Sequence, residues 1–293
     1  MRSRPAAPRP RTLAGHVSRR SVAGALFLSL ILGSWVAGVT LAAAPRLPLG
    51  GAAPIPVHPS YRAACPPAAP GFVACMALVR TDIAPLSRAS VSPDSPPPGY
   101  SPSQLRAAYG LPDPTSGNGT GMTVAIVDAS DLPSAASDLA AYRSQFGLSP
   151  CTTGNGCFSK VDENGGTSYP APDPGWSEEI ALDIEMVSAI CPNCHILLVE
   201  ASSTSVEDLG IGVNTAVSRG AVAISNSYGG PEFGGETFYD STYYDHPGVA
   251  ITASSGDAGF GVQFPASSPH IVSVGGTSLT TAVSPRGWAE TAW

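Results

Sequence analysis

The chain has 293 residues, 43% of them apolar, with 32 Gly, 30 Pro and 15 basic against 22 acidic side chains. That length supports one large α/β core or two modest ones, and ordinary apolar content in periodic runs excludes global disorder. From residue 45 onward 9 basic groups face 22 acidic ones, a formal charge of −13, so the surface repels nucleic acid and offers no basic patch for phosphate.

Residues 1–20 carry six arginines, and an uncharged run from Ser21 to Pro45 ends in Ala42-Ala43-Ala44. A basic lead, an apolar stretch and small residues at the end predict a signal peptide over 1–44, or a single N-terminal membrane anchor if it stays uncut. Either way the remainder is expected outside the cell, secreted. Ser18-Arg19-Arg20 hints at twin-arginine export. Residues 45–98, rich in Pro and Ala with little periodicity, read as a leader or linker.

A capped short helix is predicted at the Tyr100-Ser-Pro-Ser-Gln-Leu-Arg stretch, then a buried strand from Met122 to Asp128 and a helix over 132–147. Alternation continues with helices at 177–190 and 205–219 and strands at 195–200, 221–225, 249–253 and 271–274. Continuously apolar strands separated by helices imply an α/β fold, a parallel sheet covered on both faces, with its site beyond the strands' carboxyl ends. Asp128, closing the first such strand, is expected to cap the strand end.

The six cysteines form three close pairs, Cys65/Cys75, Cys151/Cys157 and Cys191/Cys194. Local disulfides suit an exported chain, although six cysteines allow fifteen connectivities. A redox role for Cys191-Pro-Asn-Cys194 is disfavoured at a helix's carboxyl end, and zinc binding with His195 lacks a second cysteine pair.

Glu179 and Asp183 are four residues apart and stack on one helical face, together with Met186, Val187 and Ile190, while Glu178 and Glu185 project elsewhere. Like charges on an apolar stripe raise at least one pKa unless compensated, which is a mark of active sites; a solvated acidic patch is the bland reading. A second cluster, Ser254-Ser255-Gly256-Asp257, places a Gly-flanked carboxyl just past a strand. Asp257 merely capping its own turn is the alternative.

These motifs come in a recognisable order. Glu-x-x-x-Asp (Glu179, Asp183), Ser-Gly-Asp (Asp257), Phe264-Pro-Ala-Ser-Ser-Pro269, Gly275-Gly-Thr-Ser278 and the opening Tyr-Ser-Pro-x-x-Leu-Arg-x-x-Tyr resemble the sedolisin family, serine-carboxyl peptidases with a subtilisin-like fold. The resemblance covers about residues 99–293. It implies Glu179 as general base, Asp183 as its orienting partner and Asp257 as oxyanion stabiliser. Ser225, Ser227, Tyr228 and Gly229 fall on the segment that resembles the strand lining the substrate cleft. The implied activity is endopeptidase hydrolysis of peptides or proteins in acid, by a protein expected to be monomeric. The residue types suit that chemistry, because a carboxylate base near pKa ~4.3 works where a histidine near ~6.5 would be protonated. The three carboxyls are therefore expected to converge at the sheet edge.

Ser278 is tempting as nucleophile, but Ala282 stands where the family has Pro, so Ser278 is expected to be structural. With the sequence ending at Trp293, the family's nucleophile segment and C-terminal calcium loop are expected to be missing, leaving the subtilisin-like sheet incomplete at the C-terminus, no cofactor in this chain and no catalysis without a longer form. Ala258 replaces the family's usual Ser, and the leader is shorter than the family's propeptide. A non-catalytic exported pseudoprotease or binding domain is the main rival. A carboxylate-pair glycosidase is another, weakened because the pair sits on a helix with no aromatic platform. Subtilisin proper is disfavoured, since no His-Gly-Thr-His segment follows Asp128.

Overall fold

The computed structural model describes residues 60–82 and 99–292. The predicted signal or anchor over 1–44, and most of the predicted leader over 45–98, lie outside the described residues. No helix among the described residues is long and apolar enough to cross a membrane.

Part of the stretch read as leader is folded. It forms β1 (Tyr61–Ala63), β2 (Ala74–Cys75) and β3 (Leu78–Arg80), with β1 and β3 paired antiparallel. The chain then enters α1 (Pro102–Ala108), begun by a capping box: Ser101 accepts from the Gln104 N–H while the Gln104 side chain accepts from the Ser101 N–H. Next come β4 (Thr123–Ala129), α2 (Ala135–Gln145), β5 (Phe158–Asp162), α3 (Pro174–Ile190), β6 (His195–Ala201), α4 (Val206–Ser218), β7 (Ala223–Asn226), β8 (Tyr228–Gly229), α5 (Glu236–Tyr239), β9 (Ala250–Ser254) and β10 (Val272–Val274). A hairpin of β11 (Thr277–Thr281) and β12 (Trp288–Ala292) follows.

Six strands form one parallel sheet in the order β10-β9-β7-β4-β6-β5. Side chains alternate between its faces. On one face Ala125, Val127, Leu197 and Val199 pack with Leu209 and Val213 of α4. On the other Ile126, Ile196, Leu198 and Phe158 pack with Leu139 of α2 and Ile180 and Ile184 of α3. The mixed architecture is the predicted α/β one with helices on both faces.

α3 starts at Pro174, three residues before its predicted start, because Asp173 accepts from the Gly175 and Trp176 N–H groups and proline suits the first helical position. Buried Arg143 of α2 braces it from behind, donating to Ser188 Oγ at 2.8 Å and to the Pro192 carbonyl at 2.9 Å. The stripe α3 buries includes Trp176, Glu179, Ile180, Asp183 and Ile184; Ile190, expected on that stripe, is 39% exposed. All three close cysteine pairs are disulfides, so Cys191 and Cys194 offer no thiolate for metal or redox chemistry.

Candidate active site

α3 lays Glu179 and Asp183 against the sheet, where they are 2% and 8% exposed. Burial raises both pKa values, and the Asp183 charge adds to the rise of Glu179. Two hydrogen bonds from the Ala77 and Met76 backbone N–H groups pull Glu179 the other way. Ser227, between β7 and β8, donates its hydroxyl to Asp183 and favours the charged form there. Asp257 stands three residues past β9, after Gly256 at φ +109°, a turn that an L side chain rarely adopts. It is half-buried, burial raises its pKa, and its charge reaches Glu179 and lifts it further.

The structure thus gathers Glu179, Asp183, Asp257 and Ser227. It does not gather the rest of the predicted set in the same way. Tyr228 is fully buried, its ring 6.4 Å from that of Trp176 and its hydroxyl donating to Asn226 Oδ1 at 2.8 Å, so it is a core side chain. Ser225 lies within β7 opposite Thr252 of β9, and Gly229 pairs with Ala74 of β2. Ser278 is exposed on β11, opposite Thr291.

One expectation is overturned. Asp128 caps nothing: it is 0% exposed and neither carboxyl oxygen has a hydrogen-bond partner. Desolvation drives its pKa well above the ordinary carboxylate range, with the charges of Asp183, Glu179 and Glu200 adding in that order. An oxygen of Asp183 and one of Glu179 are likewise buried without a partner. Burial and mutual repulsion therefore make these carboxyls hold a proton more readily than ordinary carboxylates do.

Next to it lies a group that local sequence patterns do not point to. Glu200 of β6 sits in register with Asp128 of β4, on the same face. The chain's single lysine, Lys160 of β5, contacts Asp131 and approaches Glu200 Oε2 to 3.1 Å. Its Nζ lies 4.1 Å from the centre of the Tyr169 ring. Burial lowers the Lys160 pKa, but its two acidic partners outweigh that and the net shift is upward. Glu200, fully enclosed, is raised to about 7 by burial despite the Leu132 N–H and Lys160. The one legible signal is two apolar strands each closing on an acid, Val127-Asp128 and Val199-Glu200.

Among the described residues no group of three or more His, Cys, Asp or Glu is placed to hold a metal ion.

A parallel sheet with helices on both faces and buried carboxyls at its carboxyl edge defines a subtilisin-like α/β protein with an acid-rich site. No protein-family model matches the chain. It is 30% identical over 221 residues to kumamolisin from Bacillus sp. (strain MN-32), a match covering 69% of this chain and 38% of that protein. In the solved structures it is similar to Pseudomonas sedolisin, a serine-carboxyl proteinase complexed with two molecules of pseudo-iodotyrostatin, at a TM-score of 0.54 and 23% identity, over 67% of this chain and 58% of that one. The chain is a sedolisin-family relative. It spans about two fifths of the length of the curated relative it matches.

Proposed function

We propose that this chain carries the carboxyl machinery of a secreted serine-carboxyl endopeptidase that cleaves peptides or proteins in acid. The observation that supports this most is the burial of Glu179, Asp183 and Asp128 together without a cation among the described residues, with Asp257 in electrostatic reach. A buried set of carboxyls that repel one another is a mark of sites that transfer protons. In this reading Glu179 takes the proton of the attacking hydroxyl, Asp183 holds Glu179, and Asp257 in its acid form donates to the oxyanion. Asp128 keeps Asp183 sharing a proton. Three disulfides suit an oxidising compartment.

The test is cleavage of an unfolded protein substrate by the full gene product across the acid range. Activity that disappears in Glu179→Gln, Asp183→Asn and Asp257→Asn, and persists in Ser278→Ala, is the expected outcome. A gene product indifferent to all three amide substitutions overturns the proposal.

A further inference from the structure

The sequence holds one acceptor pattern for an N-linked sugar. Of six asparagines, only Asn118 stands two residues ahead of a Ser or Thr with a residue other than Pro between, as Asn118-Gly119-Thr120. Asn155-Gly-Cys157 comes nearest, and its cysteine is held in the disulfide with Cys151. Such a triplet recurs by chance, so the place the fold gives it decides what it can do.

The fold sets it on a surface turn whose backbone is held from beneath. A single 3-10 turn over Pro114–Ser116, capped by the Asp113 carboxylate accepting from the Thr115 N–H, runs into two further turns. The Thr120 N–H donates to the Gly117 carbonyl at 3.2 Å and the Met122 N–H to the Gly119 carbonyl at 3.0 Å. Asn193 Nδ2 donates to the Pro114 carbonyl at 2.7 Å and to the Asn118 carbonyl at 3.2 Å. Gly119 has φ +84° and lies against the Cys191–Cys194 disulfide, where a Cβ would stand 2.4 Å from Cys191 Sγ. Both its conformation and its surroundings therefore demand glycine. The middle residue of the triplet packs inward, while Asn118 and Thr120 on either side of it are exposed. The amides of Asn155, Asn193, Asn214 and Asn226 are tied to main-chain carbonyls, whereas that of Asn118 donates to the exposed Ser116 hydroxyl, which water can replace.

We propose that Asn118 is a modification site, the acceptor of an N-linked oligosaccharide added on export. The donor is an oligosaccharide carried on a membrane-lipid diphosphate. A bond forms between Asn118 Nδ2 and the anomeric carbon of the sugar, the bond from that carbon to the diphosphate oxygen breaks, the amide gives up one proton, and the lipid diphosphate leaves with the electron pair. Thr120 supplies the hydroxyl that the transferring enzyme requires at the third position. The turn directly precedes β4 and so lies at the amino edge of the sheet, the end away from Asp128 and the site carboxyls. A bulky, solubilising sugar there leaves the carboxyl edge open. The inference rests on export of the chain and not on its peptidase chemistry.

The experiment purifies the full gene product from cultures of the cells that make it and reads its intact mass before and after a glycosidase that strips N-linked sugars and leaves Asp in place of the acceptor. The expected result is a mass above that of the polypeptide, lost on treatment, with Asp then found at position 118 by peptide mapping. The excess should be absent from Asn118→Gln and Thr120→Ala and retained in Thr120→Ser, which keeps the hydroxyl. Wild-type protein at the bare polypeptide mass, an excess that persists in Asn118→Gln, or one indifferent to Thr120→Ala overturns the proposal. The wild-type mass and the mapped position decide the matter even where a variant does not fold. Acid cleavage by the same samples is read separately: a glycosylated product that cleaves nothing supports Asn118 while counting against the peptidase reading, and an unmodified product that cleaves overturns Asn118 alone.

Discussion

Two acidic centres share one face of the sheet's carboxyl edge, and they differ in a single respect. Around Glu200 and Asp131, Lys160 supplies a buried cation. Around Glu179, Asp183 and Asp128 the partners among the described residues are a hydroxyl, two backbone N–H groups and one another. Opposite charge offsets part of the cost of burial in the first centre, where Glu200 is still raised to about 7; in the second, none among the described residues does. The difference separates a centre built to stay put from one built to exchange protons.

Glu179→Gln probes the proton-exchanging centre most sharply. The amide keeps the shape and removes the acid, so acid-range kcat/KM of the gene product should fall roughly a hundred- to ten-thousand-fold, the usual worth of a general base. Thermal unfolding near neutral pH should not worsen, because a raised carboxyl is lost rather than a partner. A variant with full activity would place Glu179 among structural acids, like Glu200.

Lys160→Met probes the other centre. Removing the cation leaves Asp131 and Glu200 buried against each other, and breaking a buried pair in this way lowers stability by about 3–5 kcal/mol. Urea unfolding reads it, and Lys160→Arg should recover part of the loss. A loss below about 1 kcal/mol, the level of an exposed pair, would erase the distinction between the centres.

The pH dependence of folding sharpens the same contrast. Carboxyls whose folded pKa is raised (Asp128, Glu179, Asp183 and Glu200) contribute stability that is present below the ordinary carboxylate range and lost as pH rises through their folded values, about 7 for Glu200. Asp162 acts oppositely: burial would raise it, but N–H bonds from Gly166, Ser168 and Asn164 win and lower it, so its contribution is lost in strong acid. The urea midpoint should therefore peak in mild acid and decline toward pH ~8, a tenfold difference in proton affinity between the folded and unfolded chain being worth about 1.4 kcal/mol. Asp128→Asn should flatten that decline, and an unchanged slope would remove Asp128 from the proton-holding set.

How much of the molecule is legible in its sequence follows from range. The Glu179/Asp183 pair is visible because both residues lie on one helix, where spacing alone sets the face. The order of apolar strands is visible for the same local reason. β5 escapes because Phe-Ser-Lys-Val-Asp reads as polar until Lys160 is seen to have two buried acids waiting for it. Asp128 looks like a strand-end cap because its neighbours Asp183 and Glu200 lie 55 and 72 positions away, and only register brings them together. β2 has two residues, too few for periodicity, and its partner on β8 is more than 150 positions on.

The smallest expected effect belongs to Ser227, whose hydroxyl holds down the rise of the Asp183 pKa. Its hydroxyl stabilises charged Asp183 against burial, so Ser227→Ala should move the Asp183 titration upward by about one pH unit, since a hydrogen bond to a charged group is worth about 1.5–3 kcal/mol and part of it is replaced by water or relaxation. Carboxyl carbon NMR measures that directly. Because the substitution changes neither centre's charge count, the Lys160 side should titrate as before. Movement of Glu200 by as much as Asp183 would mean that the two centres are one network, with Asp128 as the link between them.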